Sequence, residues 1–179
     1  MTPANCITFG RLILSPVVLI LFCFGNETVR IVGLIIFALA AISDFWDGYI
    51  ARKTRVSYWG KLWDPIADKF LSGFALITLS ILGMLPWWIT IPLVIRDIVV
   101  TIARLIKLRH GAGIILPVLT AKLKTTLELI MLVALFAWSA FFGKTLPLPA
   151  QIGVVIYASI VVILSLATGV HYIRVALRK

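Results

Sequence analysis

A chain of 179 residues that is 61% hydrophobic and only 13% charged, with a mean hydropathy of +1.09, excludes an ordinary soluble core. The net charge of +10 raises nucleic acid as a partner. The basic residues nevertheless fall where membrane topology would put them, at the ends of apolar runs, so no nucleic-acid role is expected.

A helix needs about 20 mostly apolar residues to cross the hydrocarbon core. Six runs qualify, at 7–24, 30–50, 59–82, 87–106, 123–142 and 152–173. They are too long for barrel strands, and backbone polar groups in lipid must bond within their own segment, so helices are the expected spanning element. The expected fold is all-α: a polytopic, six-transmembrane-helix bundle forming a single membrane domain over 1–179.

The first run is long enough to span and has no clear small-residue cleavage site, so it reads as a true span rather than a cleaved signal. Cys6 and Cys23 stand near its opposite ends, too far apart to bridge each other within one helix, and read as packing residues. The turns between runs carry helix-terminating residues: Gly25 and Asn26, Gly83 and Pro86, Gly143 and Pro149. None of these turns can hold a separate domain.

Arg52, Lys53, Arg55 and Lys61 stand between runs two and three, Lys107, Arg109, Lys122 and Lys124 between four and five, and Arg174, Arg178 and Lys179 at the C-terminus. The other side has little beyond Arg30 and Lys144. The positive-inside rule therefore puts both termini and the basic loops in the cytoplasm of a cell (inner) membrane.

Of seven acidic residues, four lie between Asp44 and Asp68, at the ends of two predicted membrane helices. A carboxylate well inside a bilayer costs about 2.5–3.5 kcal/mol on insertion scales, and neighbouring like charges add repulsion. Asp44 and Asp47 are three apart and Asp64 and Asp68 four apart, so each pair projects from one helix face. If runs two and three pack as an antiparallel hairpin, the four carboxylates converge near the cytoplasmic surface. Hard oxygen donors open to a polyphosphate favour Mg²⁺ or Mn²⁺, and zinc is disfavoured because no Cys or His joins the cluster.

The plainer account is a solvated charge cluster in which the acids pair with Arg52, Lys53, Lys61 and Lys69. Two helical pairs flanking Gly48, Arg52 and Gly60 argue against it. The Arg52 guanidinium can bind phosphate bidentately or can serve as an interfacial anchor. Gly48 and Gly60 remove side chains where helices, or a flat base and the backbone, approach closely. Pro65 removes one helical hydrogen bond beside Asp64.

The stretches Asp44-Phe-Trp-Asp47-Gly48-Tyr-Ile-Ala51-Arg52 and Gly60-Lys-Leu-Trp-Asp64-Pro-Ile-Ala-Asp68 together resemble the signature of the CDP-alcohol phosphotransferase family. Lys53 to Trp59 separate Arg52 from Gly60, one residue fewer than that pattern. The resemblance implies a homodimer of six-helix subunits with a polar cavity open to the cytoplasm and two divalent cations. It makes Asp44, Asp47, Asp64 and Asp68 the metal ligands and Asp68 also the base that activates the acceptor hydroxyl. Gly48, Ala51, Arg52 and Gly60 would shape the CDP site. Independently, two metals can bridge a diphosphate and withdraw charge from phosphorus.

Asn5, Thr8, Arg11 and Pro16, with the segment Ala121-Lys122-Leu-Lys124-Thr125, resemble the branch of that family that joins CDP-diacylglycerol to glycerol 3-phosphate. An anionic acceptor calls for cations beside the metals, and Arg96, Arg104, Lys122, Lys124 and Arg174 are the candidates; each also reads as a topology or snorkelling residue. Arg96 stands mid-run, where a charge should face protein or a wet cavity, and Asp97 can neutralise it. Arg-Asp at this point leaves phosphatidylglycerol open as the acceptor. Glu128, four residues after Lys124, reads as its helical ion pair; His110 and His171 read as interfacial. A divalent-cation carrier would also place carboxylates in membrane helices, but nearer mid-membrane.

Overall fold

The computed structural model describes the backbone of residues 3–50, 58–109 and 119–177, and side chains at 10–43, 66, 67, 69–103, 106, 122–170 and 172. Among the described residues the chain is all helical, with α1 over Pro3–Phe24, α2 over Glu27–Ile50 and α3 over Tyr58–Ile81. The second half follows with α4 over Trp87–Arg109, α5 over Leu119–Phe141 and α6 over Leu148–Leu177. Each predicted run corresponds to one helix, with Leu82 and Phe142 falling in the turns that follow α3 and α5. Most helices extend beyond their apolar run, α6 most of all, because the backbone ladder needs no apolar side chains to continue through Gln151 or Arg174.

Local signals set the ends. Asn26 caps α2, its Oδ1 accepting from the Val29 amide at 3.0 Å. After α3, Gly83 takes φ +74°, its amide donates to Ser80 O at 3.1 Å, and the Met84 amide reaches back to Leu79 O at 3.0 Å, a Schellman ending. Replacing Gly83 with Ala should cost about 1 kcal/mol, because a Cβ disfavours positive φ; a thermal melt in detergent would show it as a lowered midpoint.

Among the described residues, α1 packs on α2 and α3, α4 on α3 and α6, and α5 on α2, α3 and α6. α1 and α5 each touch both α2 and α3. Lys144 in the α5–α6 turn donates to the carbonyl of Cys23 near the end of α1 at 3.0 Å, so these turns share one end of the bundle. The last turns of α2, which starts beside the end of α1, lie at the other.

Buried stripes run along one face of each inner helix at spacings of three and four. On α5 the stripe is Lys124, Glu128, Met131, Leu135 and Ser139; on α6 it is Ala158, Val161, Ser165, Thr168 and Tyr172. At the turn end the stripes are apolar apart from Ser139 and meet around Phe22, Phe37 and Phe136. Their ring centroids lie 4.3 Å apart for Phe22 and Phe136 and 4.9 Å for Phe37 and Phe136. Towards the α2–α3 connection the same stripes turn polar.

The outer faces carry exposed Ile13, Ile20, Leu39, Ile95, Ile130, Ile160 and Ile163, an apolar surface suited to lipid rather than water. Two described stretches, Lys122–Phe141 and Leu148–Val170, are long and apolar enough to cross a membrane.

Candidate functional site

Asp44, Asp47 and Gly48 lie in roughly the last two turns of α2, and Gly60, Asp64 and Asp68 in roughly the first three turns of α3. Only residues 51–57 separate the two helix ends, so all four aspartates belong to the same end of the bundle. At 1.5 Å per residue, Asp44 and Asp64 each stand about 9 Å in from their helix ends. The side chains of these six residues lie outside those described, as do Ala51 and Arg52 entirely. Among the described side chains no three of His, Cys, Asp or Glu gather in one place. The donor chemistry of four carboxylates, with no sulfur or imidazole among them, fits Mg²⁺ or Mn²⁺.

The described part of the site begins one residue beyond Asp68. Lys69 on α3 reaches Asp97 on α4, Nζ to Oδ2 at 3.1 Å. Lys124 on α5 donates to both oxygens of the same carboxylate, at 2.9 and 3.0 Å. Arg96 donates through Nη1 to Asp97 Oδ1 at 2.8 Å. Its other nitrogens secure α6: Nε donates to Ser165 O at 3.0 Å and Nη2 to Thr168 Oγ1 at 2.7 Å. Lys124 also pairs with Glu128 at 2.6 Å, one helical turn on.

Lys124 is 0%, Glu128 2%, Asp97 5% and Arg96 9% exposed. Charges so withdrawn from water persist only when paired and hydrogen-bonded, and these bonds supply that pairing. Close approach to α6 depends on Gly169, where an added Cβ would stand 3.1 Å from Arg96 Cγ. Glu128 Oε1 has no partner among the described residues. Glu128 lines a cavity of about 70 Å³ with Lys69, Ser72 and Thr125, room enough for water to satisfy it.

The five acceptor candidates therefore divide. Arg96 and Lys124 have their charges matched inside the protein, and the expected Arg96–Asp97 and Lys124–Glu128 pairs are both present. Lys122 is exposed. Arg104 and Arg174 lie on α4 and α6, with side chains outside those described; so is the side chain of His171, and His110 lies outside the described residues. Sequence reasoning set Lys69 only against the aspartates of the cluster, gave Ser165 and Thr168 no place and gave Asp97 only Arg96. The available signal was Ser165 and Thr168 three apart on a mostly apolar run.

The CDP-alcohol phosphatidyltransferase family model matches residues 1–171. A Mycobacterium tuberculosis (strain H37Rv) protein named "Probable phosphatidylglycerophosphate synthase" is 38% identical over 179 residues, covering 98% of this chain and 81% of its own. The Bacillus subtilis (strain 168) "CDP-diacylglycerol--glycerol-3-phosphate 3-phosphatidyltransferase" is 34% identical over 144 residues, covering 73% of this chain and 74% of its own. A Rickettsia prowazekii protein of the same name is 47% identical over 76 residues, 42% of each chain. With the family pattern running across nearly its whole length, the chain belongs to the CDP-alcohol phosphatidyltransferase family and is a phosphatidyltransferase enzyme.

Proposed function

We propose that the protein transfers the phosphatidyl group of CDP-diacylglycerol to glycerol 3-phosphate, giving phosphatidylglycerophosphate and CMP. The observation that carries this reading is the 38% identity along 98% of the chain to a protein named for that product. It acts as a single membrane domain over 1–179, a six-span bundle of the inner membrane with both termini and the site facing the cytoplasm, assembled as a homodimer among membrane lipids. The basic loops support that orientation.

Asp44, Asp47, Asp64 and Asp68 would hold two Mg²⁺ or Mn²⁺, which when bound would neutralise the diphosphate and the departing CMP. The acceptor hydroxyl oxygen forms a bond to the phosphatidyl phosphorus while the bond from that phosphorus to the CMP oxygen breaks. CMP leaves with the electron pair. Asp68 takes the hydroxyl proton, for which it must stand within hydrogen-bond reach of the acceptor. Arg52 pairs with phosphate oxygens, and Gly48, Ala51 and Gly60 leave room for the cytidine. Lys122, Arg104 and Arg174 supply positive charge for the acceptor phosphate. Arg96 and Lys124 act on that phosphate from behind, by holding the helices that carry the others.

The test measures CMP release from CDP-diacylglycerol by purified protein in detergent, offering glycerol 3-phosphate, phosphatidylglycerol, serine and inositol phosphate separately. Release only with glycerol 3-phosphate is expected, and chelation by EDTA should abolish it. Release with phosphatidylglycerol instead would move the acceptor to that lipid. If Mn²⁺ crosses liposomes bearing the protein while no acceptor yields CMP, transport replaces transfer. Arg104→Ala and Lys122→Ala should each raise the KM for glycerol 3-phosphate about tenfold at nearly constant kcat, the loss of one charge-assisted bond; an unchanged KM returns them to topology.

A further inference from the structure

Four helices meet at one carboxylate. Asp97 of α4 takes Lys69 from α3 at 3.1 Å, Lys124 from α5 at 2.9 Å and its neighbour Arg96 at 2.8 Å, and Arg96 in turn bonds Ser165 and Thr168 of α6. Lys69 is half-buried and immediately follows Asp68. Ser80 of α3 and Thr90 of α4 share a buried hydroxyl hydrogen bond near the α3–α4 turn, but around the ion pair the groove between these helices is mostly apolar, lined by Ile66, Phe70, Phe74, Val94 and Ile98 with Thr101. Apolar contacts of this kind are non-directional and tolerate sliding, whereas a charged pair fixes both depth and rotation.

We infer that Asp97 is a positioning residue for the transfer reaction, holding α3 through Lys69 in the register that places Asp64 and Asp68; this rests on the reading of those two acids as metal-holding. Each residue of slip along a helix is about 1.5 Å of depth and 100° of rotation. Asp68 cannot escape such a slip, because it is joined to Lys69. Asp97 itself touches neither metal nor substrate in this scheme. Its charge acts on the reaction only through the seat it gives α3, and the network around Arg96 and Lys124 keeps that seat from moving.

The experiment compares full-length wild type, Asp97→Asn, Asp97→Glu and Lys69→Met in detergent. It reads kcat and KM for CMP release, Mn²⁺ binding by electron paramagnetic resonance, and amide hydrogen exchange along α3. Asp97→Asn should lower kcat about 10²-fold per folded molecule, the scale expected for a displacement of about 1 Å. KM for glycerol 3-phosphate should stay within about twofold, since the interaction lost does not touch the acceptor. Mn²⁺ should bind more weakly, and Asp97→Glu should recover part of kcat.

Lys69→Met removes the α3 side of the pair with Asp97 and leaves Asp97 with Arg96 and Lys124. It keeps the question open to refutation if Asp97→Asn does not fold. Its expected signature is the same in kind: lower kcat, weaker Mn²⁺ binding, and faster exchange in α3 around residues 69–73 with α6 unchanged. A folded Lys69→Met with wild-type kcat, Mn²⁺ binding and α3 exchange overturns the inference, as does an Asp97→Asn that loses only folded yield. If wild type itself releases no CMP with any acceptor, the transferase reading falls; Mn²⁺ binding and α3 exchange in Lys69→Met then still decide the positioning role.

Discussion

Asp68→Asn is expected to lower metal-dependent CMP release by at least about 10³-fold while leaving the folded yield near wild type. General-base catalysis contributes about 10²–10⁴-fold by itself, and the proposed role of Asp68 combines the base with a metal-holding oxygen. Asn keeps the size of the side chain and the helix continues through it, so α3 should form as before. Its amide can neither take the hydroxyl proton nor bring a negative charge. Adding excess Mn²⁺ should restore little, because the proton still has no acceptor. Activity assays over a Mn²⁺ series, beside size exclusion in detergent, check both halves, and near-wild-type CMP release would sink the proposed role of Asp68.

The second large effect is on stability. Lys124→Met should destabilise the protein by about 3–5 kcal/mol, the range for removing one partner of a buried ion pair. Lys124 is fully enclosed and holds two acids, bonding Asp97 at 2.9 and 3.0 Å and Glu128 at 2.6 Å. Met fills the space of the alkyl stem and leaves both carboxylates short of a cation. Asp97 keeps Arg96 and Lys69, so most of the cost should fall on Glu128, whose other oxygen already lacks a protein partner among the described residues. Lys124→Met/Glu128→Gln should therefore recover a substantial part of the loss, a coupling visible in a double-mutant cycle. Thermal or denaturant melts in detergent measure all four proteins. Additive single losses would mean the two charges do not share one buried site.

Several features were legible in the chain because their causes are local. The apolar runs fixed six helices, since a run of that length in a hydrophobic chain has one economical backbone state. Gly83 and Asn26 marked helix ends because the turn and the cap are made within a few residues. Lys124 and Glu128 announced their pair by the i,i+4 interval. The two acid pairs, with Gly48, Ala51, Arg52 and Gly60, carried the family resemblance for the same reason: their spacing is a property of single helices.

The rest depends on contacts between residues far apart in the sequence. A lone Arg96 in an apolar run signals that it must face protein, but its partners on α6 lie 69 and 72 residues away, and no periodicity within α4 encodes them. Lys69 reads as an ordinary basic residue beside an acid until packing sets it against Asp97. Arg96 and Lys124, which a count of cations offers as ligands for an anionic acceptor, are drawn inward because the buried acids Asp97 and Glu128 need them. The sequence by itself determined the helices, their turns and the acids at one end of the bundle, since hydrogen bonding in lipid and helical spacing act along the chain. Only the tertiary structure decided which charges are committed to one another, since burial makes a cation's partner a matter of how the helices pack.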